Sequence, residues 1–291
     1  MDAEFALQLL VNGLTIGLIY ALVASGLSLV FGILNIVNFA HGEFYMLGAM
    51  LAYFVAGTLG MSYWVTVVVV VLAAGAIGAL LYDILLQRFE GSNVERGVLA
   101  TLGLSMVLQN GAIFLFSTTP RLTRTEYSFK IWEFAGVTLP LTRLFAAVLS
   151  VIAFALTWWA LQATQTGRAI RGVSQNREAA LMVGIDPKRV SRIAVAAGIA
   201  FAGLAGAALA PVYSVHPTMG FAFVFKAFAI VIIGGLGNFQ GAALAALLVG
   251  MVESFVGALA SLVIADAITF ATMLLVLLMR PEGLFGRGVR L

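Results

Sequence analysis

The interval Gln162–Arg192, with the sequence QATQTGRAIRGVSQNREAALMVGIDPKRVSR, is the long polar stretch of an otherwise largely apolar chain. Its acidic residues are Glu178 and Asp186, and its basic residues are Arg168, Arg171, Arg177, Lys188, Arg189 and Arg192. A basic loop between charge-free spans is typical of the cytoplasmic side of a membrane protein. We therefore predict an all-α, polytopic integral membrane protein in which this interval, about 162–192, is a cytoplasmic loop.

The same interval has the pattern of a structured loop. Apolar residues recur at roughly helical spacing between Ile170 and Leu181, which predicts a short amphipathic helix along the membrane surface. Gly184 suits a helix stop, and Asp186 followed by Pro187 is typical of an N-cap and a first helical residue. The residues alone leave two interpretations open: a shaped docking surface, or an ordinary loop that only orients its neighbours.

The composition supports one membrane domain. Of the 291 residues 62% are hydrophobic and 10% are charged, and the mean hydropathy is +1.06. A soluble domain has roughly a quarter charged residues. The chain has no cysteine, which excludes disulfides and thiol chemistry, and its net charge of +3 comes from loops and indicates no nucleic-acid partner. Because no polar interval is long enough to fold alone, we predict a single transmembrane domain over residues 1–291.

Nine apolar stretches are candidate spans. Several are shorter than the ~20 residues that a full crossing needs, so some are expected to be half-helices or re-entrant segments, and the predicted count is eight to ten helices. Small residues at every fourth position of the first span predict close helix packing. The predicted spans are about Leu7–Phe31, Phe44–Leu59, Trp64–Leu86, Val98–Phe116, Leu144–Leu161, Ile193–Ala210, Phe221–Leu236, Ala242–Ala258 and Ala265–Met279.

The distribution of arginine and lysine predicts the orientation. The acidic start of the chain lacks the basic region of a signal peptide, so the first span should be retained, with the N-terminus outside and the C-terminus inside. The basic residues expected inside, beyond the loop already described, are Arg88, Arg96, Arg280, Arg287 and Arg290. An outer loop, Ser117–Arg143, argues the other way because it contains Arg121, Arg124, Lys130 and Arg143.

Two polar, glycine-flanked breaks interrupt the apolar spans. Gly32–Glu43 and Gly234–Ala242 share Asn-Phe closely followed by glycine. Interrupted segments in corresponding halves indicate a transport site in a transporter built from repeats. The alternative is that both are interfacial turns capped by asparagine and glycine. Under the first interpretation the translocation-path candidates are Asn35, Asn38, His41, Glu43 and Asn238.

Lys226 and Glu253 each stand in a long apolar run. If Gly237–Gly241 is the turn of a helical hairpin, both lie roughly 20 Å from that turn at ~1.5 Å per residue, and hence at one depth. A lone charge near a helix centre costs about 2.5–3.5 kcal/mol, so we predict an intramembrane ion pair. The alternative is that Lys226 extends to the surface and Glu253 faces a wet cavity separately.

Three motifs resemble those of the branched-chain amino acid (leucine/isoleucine/valine-type) permease family of ABC transporters. Asn38–Glu43, NFAHGE, is similar to the signature near the start of those permeases. The run Gly167–Ile185, with its EAA…G pattern, resembles their coupling loop, and Gly234–Gly237 resembles their late GGxG. Since the motifs fall in the early, middle and late thirds, the resemblance covers essentially the whole chain.

The resemblance implies an importer subunit with defined partners. These are a second, similar permease, two cytoplasmic ATPase subunits that carry the ATP, and an extracytoplasmic solute-binding protein that hands over an amino acid. The chain itself would hold no cofactor and would lie in the bacterial cytoplasmic (inner) membrane. The residues expected to dock on the ATPase are Arg168, Arg171, Arg177, Glu178, Ala179, Ala180 and Gly184. Relatives of this family that carry urea, short amides or other small polar solutes remain alternatives.

A rival class is a secondary transporter or channel driven by an ion gradient. His41, Glu43, Lys226 and Glu253 would then carry protons or ions. The docking loop separates the two classes because a secondary transporter does not need one. Enzymatic interpretations are poor: there is no P-loop and no GxSxG elbow, and His41 and His216 lack metal-site spacing, so we expect neither catalytic residues nor a metal.

Overall fold

The computed structural model describes residues 3–91, 94–134 and 136–286, and these are mostly helical. The α-helices are α1 (Ala3–Leu34), α2 (His41–Ala52), α3 (Tyr63–Ile84), α4 (Val94–Phe116), α5 (Leu141–Ala163), α6 (Gln165–Gln175), α7 (Arg177–Met182), α8 (Pro187–Leu209), α9 (Met219–Gly234), α10 (Phe239–Leu259) and α11 (Leu262–Met279). In the described part of the chain, seven of them are long and apolar enough to cross a membrane: α1, α3, α4, α5, α8, α10 and α11. With α9, a shorter apolar helix, and the 12-residue helix α2, every predicted span contains a helix.

Helices α1 and α8 form the centre of the bundle. About 78% of the most apolar window of α1 is buried and 72% of that of α8, against 17% for α4 and α11 and 11% for α5. A helix that is apolar all round and also buried is surrounded by protein, whereas an apolar, exposed helix in a membrane protein faces lipid or a partner. The outer helices α4, α5 and α11 therefore present apolar faces to their surroundings.

Close glycine contacts hold the central helices together. A Cβ atom built on Gly17 would lie 2.8 Å from the Cα atom of Leu247 on α10, and one on Gly26 would lie 2.7 Å from the carbonyl oxygen of Gly198 on α8. At Gly48 of α2 the same test gives 2.5 Å to the carbonyl oxygen of Gly203. Small residues let helix backbones approach closely inside lipid, as the spacing in the first span predicts.

The chain re-enters the bundle between α1 and α2. After Asn35 it runs without helix to Ala40, and the Nε2 atom of His41 then lies 3.2 Å from the carbonyl oxygen of Val23. At ~1.5 Å per residue, Val23 lies about 16 Å before the end of α1 at Leu34. Helix α2 thus begins inside the bundle, and a π-helical turn, Tyr53–Thr58, continues it.

The bundle has two ends, which we call the loop end and the hairpin end. The loop end is the end at α6, α7 and the start of α8, where Ile170 and Val173 pack in one apolar cluster with Leu29 and Ile33 of α1. Gly237 approaches Gly32 of α1 at the same end.

The hairpin end lies at the opposite end of α1. Strands β1 (Ile131–Phe134) and β2 (Val137–Pro140) form an antiparallel hairpin that turns at Gly136, whose φ is 77°. Gln8 of α1 accepts a hydrogen bond from the backbone N–H of Thr138 (2.9 Å) and donates one to its carbonyl oxygen (3.0 Å). The hairpin lies in the stretch predicted as an outer loop. The strands were not predicted because their alternation of polar and apolar residues is too short to recognise in the sequence.

The predicted division of basic residues follows these two ends. Arg88 and Arg96 lie on elements that meet the loop end, and Arg280 precedes a segment that packs on Gly235 at that end. Arg121 pairs with Val215 at the hairpin end, opposite the basic loop. Arg287 and Arg290 lie outside the described residues.

Candidate functional site

The first polar break is a fully buried group. Asn38, His41 and Glu43 have no exposed surface. The Asn38 side chain accepts a hydrogen bond from the N–H of Ala40 (3.1 Å), and Glu43 accepts one from the hydroxyl of Ser105 on α4 (2.9 Å). One further polar atom on each side chain has no partner within the described chain: Asn38 Nδ2, His41 Nδ1 and Glu43 Oε2. Because buried polar atoms are almost always satisfied, three orphans together require an explanation.

Helix α4 lines this break from the loop end inward. A Cβ atom on Gly97 would touch Ile36 at 3.0 Å, and Thr101 donates its hydroxyl to the carbonyl oxygen of Val37 (3.0 Å). The N–H of Phe39 donates in turn to Thr101 (3.3 Å). The non-helical backbone at membrane depth is thus enclosed in protein, the condition under which such backbone is tolerated.

Asn35 and Asn238 lie apart from this group. Asn35 is exposed at the end of α1, with φ of 51°, and its N–H donates to the carbonyl oxygen of Phe31 (2.8 Å). Asn238 is the N-cap of α10: its Oδ1 accepts from the N–H of Gly241 (3.0 Å) and its Nδ2 donates to the carbonyl oxygen of Phe285 (2.6 Å). Both side chains have the surroundings of helix ends at the loop end.

Lys226 and Glu253 lie in contact inside the bundle. The Lys226 Nζ atom is 2.8 Å from Glu253 Oε2 and 2.8 Å from Asp266 Oδ1 on α11. Tyr20 of α1 donates its hydroxyl to both Glu253 oxygens, at 2.9 and 3.0 Å. Asp266 was not singled out in the sequence, although it too is a lone charge in an apolar run. The cluster joins α1, α9, α10 and α11.

A cavity of about 410 Å³ adjoins this cluster on its hairpin-end side. Glu253 and Tyr20 form part of its wall, and Arg143 at the start of α5 forms another part. The rest of the lining is mostly apolar or aromatic: Leu9, Asn12, Ile16, Ile19, Tyr45, Leu209, Tyr213, Phe223, Ser254, Gly257, Ala258 and Leu262.

The basic loop is a folded unit. Thr164, Asn176 and Asp186 cap α6, α7 and α8, each accepting a backbone N–H. Gly184 has φ of 80°, the left-handed conformation that ends a helix at no cost to glycine. The predicted stop at Gly184 and N-cap at Asp186 are present, but the single predicted amphipathic helix is divided at Asn176 into α6 and α7.

The predicted docking residues divide by exposure. Ala180 packs inward, Arg171 and Arg177 are half-buried, and the exposed members are Arg168, Glu178, Ala179 and Gly184. Next to them three large apolar side chains stand in the open: Leu181 is 56% exposed, Met182 88% and Val183 74%. An exposed apolar patch bordered by charges is typical of a protein–protein contact.

A buried carboxylate joins this loop to the bundle. The side chain of Glu90, only 6% exposed, forms an ion pair with Arg177 and accepts hydrogen bonds from Tyr82 of α3 (2.9 Å) and Ser191 of α8 (2.5 Å). The hydrogen bond to Glu90 raises the pKa of Arg177, so the guanidinium stays charged. Nothing in the sequence marks Glu90, because a lone acid in a short charged loop is ordinary.

The comparisons with known proteins agree with this architecture. The family model described as branched-chain amino acid transport system / permease component matches residues 9–277. The chain is 31% identical to the high-affinity branched-chain amino acid transport system permease protein BraD of Pseudomonas aeruginosa, over 97% of this chain and 96% of that protein. It is 30% identical to the permease protein LivH of Salmonella typhimurium, over the same shares of the two chains.

A more distant relative is the permease protein LivM of Escherichia coli, 27% identical over 80% of this chain and 60% of that protein. No solved structure gives a significant match. The family match spans the buried break, the basic loop and the Lys226 cluster alike, so all three belong to one multi-pass transporter subunit and not to an enzyme. The chain is a member of the family of branched-chain amino acid transport system permease components.

Proposed function

We propose that this chain is the membrane-spanning permease subunit of an ATP-binding-cassette importer for branched-chain amino acids, forming the translocation path and docking a separate ATPase. The names of BraD and LivH, its relatives over nearly the whole chain, supply the substrate class. The observation that carries the docking is the folded basic loop with its exposed Leu181, Met182 and Val183. Nothing on this chain would bind or hydrolyse ATP.

The loop is suited to passing on a movement. Its helix α6 packs on α1 through Ile170 and Val173, and its helix α7 is linked to α3 and α8 through Glu90, so a displacement of the loop would act on all three helices. A bound ATPase would deliver its energy through this loop as a rigid-body push that switches the side to which the cavity opens. The exposed surfaces of Arg168, Glu178, Ala179 and Gly184 would complete the contact with the ATPase.

The remaining partners would contact other surfaces of the bundle. The apolar outer faces of α4, α5 and α11 offer surface for a second permease, and the relation to LivM is in keeping with two similar permeases. A solute-binding protein would dock at the hairpin end. Asn38, His41 and Glu43 would line the path once it opens, since their unpartnered atoms need water or solute there.

The chain would lie in the bacterial inner membrane with its N-terminus outside and C-terminus inside. Single cysteines test this in the cysteine-free background. Leu122→Cys, at an exposed site of the hairpin end, should react with an impermeant thiol reagent in intact cells, and Ser174→Cys, exposed at the loop end, should react only after lysis. The reverse pattern would overturn the orientation.

The docking experiment compares Met182→Glu with Leu122→Glu. Both change an exposed apolar side chain, 88% and 65% exposed, but at opposite ends. Met182→Glu should abolish co-purification of the ATPase and ATP-dependent leucine uptake because a charge is desolvated in the contact. Leu122→Glu should retain the ATPase. A different result would identify a secondary transporter: leucine uptake continues in Met182→Glu although the ATPase is lost, and it stops when an ionophore abolishes the ion gradient.

A further inference from the structure

The lining of the cavity at the hairpin end includes one acidic and one basic side chain. Its volume, about 410 Å³, falls in the range of about 300–1,000 Å³ typical of small-molecule sites. Glu253 and Arg143 both line it, together with apolar side chains such as Ile16 and Phe223. Such a cavity suits a small ligand that carries both charges and an apolar group.

The acidic wall carries one charge more than its partner neutralises. Lys226 is in contact with both Glu253 and Asp266, so the cluster has two acidic side chains for one basic side chain, a formal charge of minus one. The side chains of Lys226 and Glu253 are only 16% and 15% exposed, whereas that of Asp266 is 45% exposed, so the Glu253 carboxylate is the acid of this cluster that solvent screens least. A cationic group in the cavity would neutralise the excess negative charge of the cluster. Glu253 is the acid of the cluster that lines the cavity.

The basic wall is one arginine. Arg143 forms no ion pair with any residue that the structure describes, and it lines the cavity at the first turn of α5. It is among the basic residues whose position at the hairpin end opposes the usual distribution of positive charge. A guanidinium held there without an acid has the geometry to bind a carboxylate, which it recognises through two parallel hydrogen bonds.

We propose that this cavity is a binding site for the zwitterion of an α-amino acid, which meets Glu253 through its ammonium group and Arg143 through its carboxylate. The aliphatic side chain lies against Ile16, Ile19 and Phe223. The proposal rests on the proposed function only for its substrate class. It assigns to Arg143 and Glu253 a recognition role, and to Tyr20 and Lys226 the positioning of the Glu253 carboxylate.

The test uses protection from thiol labelling in the purified full-length permease, reconstituted in nanodiscs. Ala258→Cys places a thiol in the cavity lining, and Leu259→Cys is its matched control, one residue further on α10 and outside the lining. L-leucine should slow labelling at position 258 and leave position 259 unchanged. Two analogues, 3-methylbutylamine without the carboxylate and 4-methylpentanoate without the ammonium, should protect much less.

The second arm removes each charge in the Ala258→Cys background. Arg143→Gln and Glu253→Gln should each raise the leucine concentration for half protection at least about tenfold, since each loses a charge-assisted hydrogen bond. Arg143→Lys should recover part of the loss. Arg143→Gln breaks no ion pair of the described chain, so it keeps the test valid if Glu253→Gln fails to fold, as size-exclusion chromatography would reveal.

Three results would overturn the site: no leucine protection at position 258, protection by both analogues that is as strong as that by leucine, or unchanged leucine protection in Arg143→Gln. None of these readouts needs an ATPase or transport. If leucine protects position 258 but the chain binds no ATPase, the proposed importer function is refuted and the proposed binding site is retained. ATP-driven leucine uptake without protection would refute the site and keep the importer.

Discussion

Asn38-Phe39 with Gly42 and Asn238-Phe239 with Gly241 share one short pattern, yet the two stretches lie in different surroundings. What they have in common is the glycine. A Cβ atom on Gly42 would lie 2.2 Å from the carbonyl oxygen of Gly220, and one on Gly241 would lie 2.2 Å from that of Gly234. Gly220 and Gly234 are near the two ends of α9, so the repeated pattern holds this helix at both ends.

What differs is the asparagine. Asn38 is buried beside His41 and Glu43 with unpartnered atoms, whereas Asn238 caps α10 and donates to a backbone carbonyl at the loop end. The glycine of the pattern therefore indicates close helix packing both at Gly42 and at Gly241. The role of the polar residue is set by its depth, which the pattern does not encode.

The largest effect is expected at the two glycines. Gly42→Ala and Gly241→Ala each place a methyl group 2.2 Å from a backbone oxygen, which cannot move as a flexible side chain can. Overpacking of this kind costs about 1–3 kcal/mol or more, so both variants should lose much of their folded protein. The measurement is thermal stability of the purified permease in detergent.

Gly103→Ala is the matched control, because a Cβ atom there meets nothing within 4 Å and the site lies within helix α4. It should be neutral or stabilise by up to about 1 kcal/mol. If Gly42→Ala is as stable as Gly103→Ala, the close contact with α9 is wrong.

The next largest effect is expected on leucine uptake, and it distinguishes the buried group around Glu43 from the helix cap at Asn238. Glu43→Leu with Ser105→Ala removes both members of a buried hydrogen bond and an unpartnered oxygen, so thermal stability should hold or rise. Leucine uptake should fall at least about tenfold, equivalent to about 1.4 kcal/mol on a rate, because the path loses its polar lining. Uptake that stays at the original level would leave Glu43 a purely structural residue.

A smaller effect is expected at the cap. Asn238→Ala removes the acceptor for the Gly241 N–H and should cost about 0.5–2 kcal/mol of stability. Uptake per folded molecule should remain near the original value, since Asn238 lies at a helix end. Asn238→Ser, which restores an acceptor, should recover most of the stability; a loss of uptake in that variant would place Asn238 on the path after all.

The smallest effect is expected at Asn35. Its φ of 51° is the left-handed conformation, which glycine adopts freely, so Asn35→Gly should change stability by no more than about 0.5 kcal/mol and leave uptake intact. Asn35→Ala should cost about 1–2 kcal/mol because an ordinary residue is strained there. A large uptake defect in Asn35→Gly would contradict the assignment of Asn35 to a helix end.

The sequence predicts the features that depend on local chemistry. Apolar length locates the spans, and the cap Asp186 and stop Gly184 locate the helix boundaries of the basic loop, because both act within a few residues of themselves. The depth argument for Lys226 and Glu253 also needs only helix geometry and one turn. The structure places these two side chains in contact.

Features that join distant segments could not be predicted in this way. Asp266 shares Lys226 with Glu253, and Glu90 meets Tyr82, Arg177 and Ser191, but both contacts depend on how helices far apart in sequence pack. Nor does the repeated Asn-Phe pattern distinguish burial from a cap. One sequence reveals helical periodicity and capping residues directly. It gives only indirect information on how deep a residue lies in the bundle and which helices pack side by side.

The carboxylate of Glu90 also sets how the loop end can move. It is 6% exposed and bound by groups from α3, α7 and α8, so withdrawing any one of them leaves an almost buried acid short of a partner. Because that loss is costly for a nearly buried acid, we expect the joint at Glu90 to resist separation and to move as one rigid unit. Helices α3, α7 and α8 would therefore shift together, and flexibility of the loop would not absorb a displacement before it reaches the membrane-spanning helices.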